Sequence, residues 1–143
     1  MDINQMFKSI IDLDEMAVVL CDINHTIVYM NNAAVKKYEK RGGKAFLIGR
    51  NLLDCHNQAS RDKIAHVLKW FSENKENNKI YTYHKEKENQ DVFMVAVRDE
   101  NDNLIGYYEK FEDRNLFKAD WFPNRRELMK NTFDEMYQAI QSS

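Results

Sequence analysis

The side chains with the most chemical potential in this sequence lie together in one short run, Asp54, Cys55 and His56. A cysteine can react as a thiolate, and a histidine can transfer protons or bind a metal near neutral pH. Consecutive side chains diverge, so the run is a poor metal chelate without partners from elsewhere in the fold. We therefore expect Cys55 to be either a small buried residue or a redox-sensing thiol, and His56 to be either a structural group or a ligand contact.

The other histidines and the known catalytic motifs give no stronger indication of a functional site. His66 lies on the polar side of its predicted helix, His25 falls in a turn, and His84 lies near the end of a strand. The sequence contains no glycine-rich phosphate loop, no Gly-x-Ser-x-Gly elbow and no His-Glu-x-x-His pair. We therefore expect a protein without catalytic activity.

Composition limits the chain to one compact domain. The 143 residues are 43% hydrophobic and 31% charged, with 4 glycines and 1 proline, which excludes disordered and collagen-like chains. The net charge of −2 gives no overall attraction to nucleic acid or to an anionic membrane, and we expect the basic run from Lys36 to Lys44 to be a solvated face. No apolar run is long enough to span a membrane, no signal peptide pattern is present, and the 2 cysteines form no CxxC motif. These features predict a cytoplasmic protein.

Periodicity predicts an α+β domain. Apolar and alternating runs predict five strands, with helices before, between and after them. Asp2, Asn31 or Asn32, and Ser60 are suited to begin helices. Short polar connections join the last three strands, which favours an antiparallel meander within a mainly antiparallel sheet. The predicted strands are Met16–Cys21, His25–Met30, Lys79–Lys85, Asp91–Arg98 and Leu104–Phe111.

Both terminal helices carry an apolar stripe at helical spacing. Such a stripe must be buried, either against the chain's own sheet or against another protein. The stripe residues are Ile3, Met6, Phe7, Ile10 and Ile11 in the first helix, and Leu128, Met129, Phe133, Met136, Tyr137 and Ile140 in the last.

Several short stretches carry a family resemblance. Asp22 ends an apolar strand and is followed, after the turn, by residues 27–31 and the alanine pair at 33–34. The run Ile-Gly-Arg-Asn at 48–51 comes next, and the apolar hairpin at 95–106 closes the series. In this order and spacing, these stretches resemble the PAS sensory domains. The resemblance covers residues 14–113, which leaves an N-terminal helix at 1–13 and a linker with a C-terminal helix at 114–143.

Two details refine the resemblance. Residues 49–56 and the hairpin from Ala96 to Gly106 are most similar to the PAS modules that accompany hemerythrin-like domains. The two hairpin turns hold His25 and Asp102 where the family usually has glycine. Neighbouring asparagines and the aspartate tolerate a left-handed backbone, so we expect the same chain reversals.

The resemblance implies a five-stranded antiparallel sheet whose concave face holds a small ligand or a plug of side chains, with helices on both faces of the sheet. Strand alternation separates Phe93, Val95 and Val97 from Val92, Met94 and Ala96, and both sets are apolar. We assign the first set to the concave face. The last strand would add Tyr107 and Glu109, with Glu109 either inside the concave face or solvated at its rim. Asn51, Cys55 and His56 complete the predicted ligand site, and the terminal helices are expected to cover the other face.

The resemblance also allows cofactors to be tested against spacing. A light-reactive flavin sensor of this family needs a cysteine directly after the Gly-x-Asn motif, where this chain has Leu52, so such a flavin is not expected. Haem needs an axial ligand directed into the concave face, and His56 is the candidate. The cofactor is otherwise left open.

The interpretation that follows is a module that binds a small molecule and signals through protein–protein association. The terminal helices would mediate contact with a second copy, giving a homodimer, or with a partner signalling protein. One alternative is a ligand-free dimerisation module whose pocket is filled by Phe93, Tyr107 and Phe111. Another is a haem or redox sensor that uses His56 or Cys55.

Overall fold

The computed structural model describes residues 1–117 and 122–142. Its elements follow the predicted order of one helix, two strands, three helices, three strands and a final helix. The strands are β1 (Ala17–Asp22), β2 (Ile27–Met30), β3 (Lys79–Lys85), β4 (Gln90–Arg98) and β5 (Leu104–Asp113). The α-helices are α1 (Ile3–Asp12), α2 (Asn32–Lys37), α3 (Gly43–Leu47), α4 (Gln58–Glu73) and α5 (Phe122–Ser142), and short 3₁₀ helices span Glu39–Arg41, Leu52–Cys55 and Arg114–Phe117.

The strands form one antiparallel sheet in the order β2-β1-β5-β4-β3. The last three strands make the expected meander. Strand β1 of the first hairpin pairs with β5, which makes β5 the central strand of the sheet. The predicted five-stranded antiparallel sheet is therefore confirmed. Within the described residues, no helix is both long and apolar enough to cross a membrane.

Local side-chain chemistry explains where the helices begin. Asp2 accepts hydrogen bonds from the backbone N–H groups of the first turn of α1, and Asn31 accepts one from Ala34 N at 3.0 Å at the start of α2. The predicted cap at Ser60 is wrong, because the Asn57 side chain caps α4 by accepting from Ser60 N at 2.9 Å. Both residue types can cap, and the earlier one begins the helix.

Both hairpin turns use a left-handed backbone without glycine, in the second turn within the expected residues 101–103 but in the first at His25 rather than at the expected Asn24. His25 has a φ of 68° and Asp102 a φ of 65°. In the first turn, the Asp22 carboxylate accepts hydrogen bonds from Asn24 N at 2.9 Å and Thr26 N at 3.0 Å. These bonds hold the reversal that places β2 beside β1.

One face of the sheet is buried beneath α2, α3 and α4. On β4 the buried residues are Val92 and Met94, and the pairing sets Met94 opposite Glu109 of β5. The assignment of Phe93, Val95 and Val97 to the concave face is therefore wrong. Both alternating sets of this strand are apolar, so the sequence does not tell them apart, and a shift of one residue exchanges the two faces.

The terminal helices do not cover the second face with the side chains that the structure describes. Helix α1 buries none of its residues, and Ile10 is 69% exposed. On α5, Phe133 and Ile140 are also exposed, while the side chains of Leu128 and Met129 and part of the proposed linker lie outside the described residues. On the second face, described cationic side chains pack on aromatic rings, as in the contact between Lys79 Nζ and the Phe93 ring at 4.5 Å.

Candidate functional site

A cavity of about 830 Å³ opens on the concave face of the sheet. Its volume falls within the range that small-molecule sites occupy. Strands β1, β2 and β5 form its floor, α2 and α3 form one wall, and the loop before α4 forms another. The apolar lining consists of Val19, Ile27, Met30, Ala33, Leu47 and Leu52.

Glu109 supplies a carboxylate to the floor of this cavity. Its backbone pairs with Val19 and Met94, both inward-facing, so strand alternation directs its side chain inward as well. The residue is 5% exposed, and its carboxylate accepts no hydrogen bond from the described part of the chain. Burial raises its pKa above the ordinary 4.5, while His56 and Lys85 act in the opposite direction. The carboxylate is thus a buried acceptor that faces the cavity.

His56 lies opposite this carboxylate. Its Nδ1 lies 2.8 Å from the Leu52 carbonyl oxygen, which can only accept, so Nδ1 carries the proton. The other ring nitrogen, Nε2, lies 3.9 Å from Glu109 Oε1, too far for a hydrogen bond but close enough for a charge interaction. Arg61 Nε fixes this loop by donating to the carbonyl oxygens of Leu53 at 2.9 Å and His56 at 3.1 Å.

Two tyrosines complete the polar part of the cavity. Burial and the nearby Glu109 raise the pKa of Tyr38, and the same causes raise the pKa of Tyr83 to about 12. Both phenols are therefore neutral near physiological pH and can donate or accept hydrogen bonds. The Tyr38 ring also packs edge-on against Phe111 at 6.4 Å between centroids. The cavity lining thus combines one buried acid, one imidazole and two phenols.

Three of the predicted site residues line the cavity, namely Cys55, His56 and Glu109. The Cys55 side chain is exposed, so its interpretation as a small buried residue is wrong. Tyr107 lies on the concave side of the sheet but behind the cavity wall, where its hydroxyl pairs with His25 Nδ1 at 2.8 Å.

The remaining predicted site residues do not line the cavity. Asn51 caps the turn at residues 52–55 by accepting from Leu53 N at 2.8 Å, and it does not line the cavity. Phe93, Val95 and Val97 lie on the opposite face of the sheet, as described above.

Sequence reasoning missed Tyr83 and Lys85, which also line the cavity. A bulge in β3 between Tyr81 and Tyr83 shifts the alternation, so that Tyr81 pairs with Phe93 on the outer face and Tyr83 pairs with Val92 on the inner face. Strict alternation from Tyr81 would have placed Tyr83 and Lys85 outside. Tyr38 was missed because it follows the end of α2, where helical periodicity no longer applies.

The residues present do not fit a haem held by His56. With Nδ1 bonded to Leu52, the iron would have to bind Nε2, and Glu109 Oε1 lies 3.9 Å in front of that atom. Among the residues that the structure describes, no group of three His, Cys, Asp or Glu side chains could hold a metal ion. Leu52, at the position of the flavin-reactive cysteine, is buried in the cavity wall.

Comparisons with solved structures show the same fold. A C-terminal domain from Streptococcus mutans aligns with a TM-score of 0.61 and 19% identity over 82% of this chain and 88% of that one. The PAS domain of a protein from Colwellia psychrerythraea aligns with a TM-score of 0.60 and 19% identity over 78% of this chain and 97% of that one. A sensory box sensor histidine kinase from Vibrio cholerae aligns with a TM-score of 0.53 and 12% identity over 77% of this chain and 90% of that one.

The sequence itself was also compared with curated proteins and with family models. No curated protein matches it. The family model described as PAS domain matches residues 15–115, which is more than half of the chain. The chain belongs to the PAS domain family.

Proposed function

We propose that this chain is a sensory module that binds a small molecule in its concave cavity and reports occupancy through protein–protein association. The observation that carries the proposal is the cavity of about 830 Å³ with Glu109 at its floor, whose carboxylate is open to the cavity and accepts no hydrogen bond from a described residue. A bound molecule with a hydrogen-bond donor would satisfy that acceptor. The plug expected of a ligand-free module is not favoured, since Phe93 faces away and neither Tyr107 nor Phe111 lines the cavity.

The proposed role is non-catalytic. Among the described lining residues, no hydrogen bond joins Cys55 to His56, so the thiol has no positioned base. The resemblance to PAS modules that accompany hemerythrin-like domains fits a sensing role for this domain, with the response produced outside it.

A physical route connects the cavity to α1. Met30 and Ala33 line the cavity, and Asn31 lies between them in sequence. The Asn31 side chain donates hydrogen bonds to the carbonyl oxygens of Ile11 at 3.0 Å and Met16 at 2.9 Å. The Tyr29 hydroxyl donates to the Asp12 side chain at the same end of α1. A ligand that displaces Met30 or Ala33 would therefore move the end of α1.

The association partner in this proposal is a second copy of the chain. Phe7 and Ile10 on α1 are 57% and 69% exposed, and Phe133 and Ile140 on α5 are 58% and 62% exposed. Two apolar helix faces on one chain are costly to leave in water, and a second copy supplies matching faces. Phe133 and Tyr137 already stack at 6.2 Å, which presents a flat apolar surface.

Replacing Ile10 or Phe133 by glutamate should convert a dimer to a monomer, because each change places a charge in the proposed interface. Sedimentation velocity measures the result. Ser9→Glu, which adds the same charge to the polar side of α1, is the matched control and should leave the dimer intact. A wild-type chain that sediments as a monomer at high concentration would overturn the second copy as the partner.

The cavity itself can be tested with 1-octanol as an apolar probe. In ¹H–¹⁵N correlation spectra, the amides of Ala33, Leu52 and Cys55 should shift as the alcohol enters. Ala33→Trp fills the cavity and should weaken this binding by at least about ten-fold, whereas Ala65→Trp on the exposed side of α4 should not. Shifts confined to α1 or α5 would contradict the proposal, since they would locate the probe on the exposed apolar faces.

A further inference from the structure

The cavity lining contains five cationic side chains. In the described part of the chain, none of them forms an ion pair within 4.0 Å. Four acids, Glu15, Glu88, Glu109 and Asp113, also line the cavity, so the five cations outnumber them by one. Part of the basic run from Lys36 to Lys44, which was expected to be a solvated face, thus contributes to the site. The cations are Lys36, Lys37, Lys40, Arg41 and Lys85.

Two of these cations converge. The ammonium groups of Lys37 and Lys85 lie 4.7 and 5.4 Å from the centroid of the same ring, that of Phe111. Lys37 Nζ also donates to Gln90 Oε1 at 2.7 Å, which fixes the position of its side chain. Burial and the neighbouring Lys85 lower the pKa of Lys37, while Glu88 and Asp113 partly offset this.

Holding two ammonium groups side by side in partly dry surroundings is unfavourable. An anion between them would relieve the repulsion and accept charge-assisted hydrogen bonds from both. Glu109, whose carboxyl Lys85 also faces, has the reverse preference, because this carboxylate repels an anion and accepts hydrogen-bond donors. The ammonium pair and the carboxylate therefore favour a single orientation of an amphipathic molecule, with its anionic group at the lysines, away from Glu109, and its apolar body along Met30 and Leu52.

We infer that the ligand of this cavity carries an anionic oxygen group, such as a carboxylate, that binds between Lys37 and Lys85 while its apolar body enters the cavity. This inference rests on the proposed function and names the chemical class of its ligand.

The test uses three probes that share one chain length: octanoate, 1-octanol and octylammonium. Amide shifts at Ala33, Leu52 and Cys55 of the full chain report binding inside the cavity. Octanoate should bind about ten-fold more tightly than 1-octanol near pH 7, and octylammonium more weakly than either. Raising the salt concentration should weaken octanoate binding and leave 1-octanol unaffected.

Lysine variants test whether the anionic group binds between Lys37 and Lys85. Lys37→Gln with Lys85→Gln should remove the preference for octanoate over 1-octanol, and a circular dichroism spectrum like that of the wild type shows that the variant is folded. Lys69→Gln, a change to an exposed lysine of α4, should preserve the preference. Equal binding of octanoate and 1-octanol by the wild type, or tighter binding of octylammonium, would overturn the inference and leave the cavity as a ligand site. Failure of all three probes to shift the cavity amides would overturn the proposed function as well.

Discussion

Replacing Asn31 by leucine should lower the free energy of unfolding by about 4 kcal/mol. Asn31 is fully buried, and its side chain makes four hydrogen bonds to backbone groups. Its Oδ1 accepts from Val18 N at 2.9 Å and Ala34 N at 3.0 Å, and its Nδ2 donates to the carbonyl oxygens of Ile11 and Met16. Leucine has a similar volume but pairs none of them, and unpaired buried polar groups are costly. Urea denaturation followed by circular dichroism measures the change.

Two further variants define the cause of this loss. Asn32→Leu changes the exposed neighbour in the same turn and should cost less than about 1 kcal/mol. Asn31→Asp keeps the two acceptor bonds but turns a carboxylate toward two carbonyl oxygens, so it should also be strongly destabilising. If Asn31→Leu cost no more than Asn32→Leu, the side chain would not be what joins α1 to the sheet.

Replacing Glu109 by glutamine should raise the free energy of unfolding by about 2 kcal/mol near pH 7. The glutamine keeps the shape of the side chain and removes a charge that burial disfavours. The groups that face this carboxyl are His56, Lys85, Tyr38 and Tyr83, and the first two only partly offset the cost of burial.

The pH dependence identifies the carboxyl as the cause. Burial raises the pKa of Glu109 in the folded state above the ordinary 4.5, so the folded chain holds this proton more tightly than the unfolded chain. Below that ordinary value both states are protonated and the residue costs nothing. As the pH rises above 4.5, stability falls until the folded carboxyl also ionises, and the loss is constant above that point. The advantage of glutamine should therefore appear only above the ordinary glutamate pKa.

The exposed residue Glu73, at the end of α4, supplies the matched control. Glu73→Gln should leave stability nearly unchanged across the same pH range, because this exposed side chain is not buried on folding. Urea titrations at several pH values measure both variants. A stability gain for Glu109→Gln that persisted below the ordinary glutamate pKa would contradict a charge-based origin.

Most of the fold follows from the sequence because its signals are local. The strand runs, the cap at Asn31 and the left-handed turn at Asp102 each depend on a few neighbouring residues, and the structure confirms them. In the first turn the left-handed residue is His25 and not the expected Asn24. The predicted cap of α4 differs from the observed one because Asn57 and Ser60 are equally suited to begin a helix. The local sequence therefore does not determine which of the two is the cap.

The site was harder to predict because its geometry depends on strand faces. Glu109 was placed in or near the concave face, since alternation along β5 runs unbroken past Tyr107. Phe93 was assigned to the wrong face because β4 is apolar on both sides. Tyr83 and Lys85 reach the cavity through a bulge, and a bulge leaves no trace in hydrophobic periodicity.

The central claim is that filling the cavity changes association of the chain. Sedimentation velocity with and without saturating octanoate tests it most directly, on the wild type and on the cavity-filling Ala33→Trp variant. The dimer dissociation constant of the wild type should change by at least about five-fold with octanoate, and that of Ala33→Trp should not respond. The same dissociation constant with and without octanoate in the wild type, while its cavity amides report a filled site, would contradict the account.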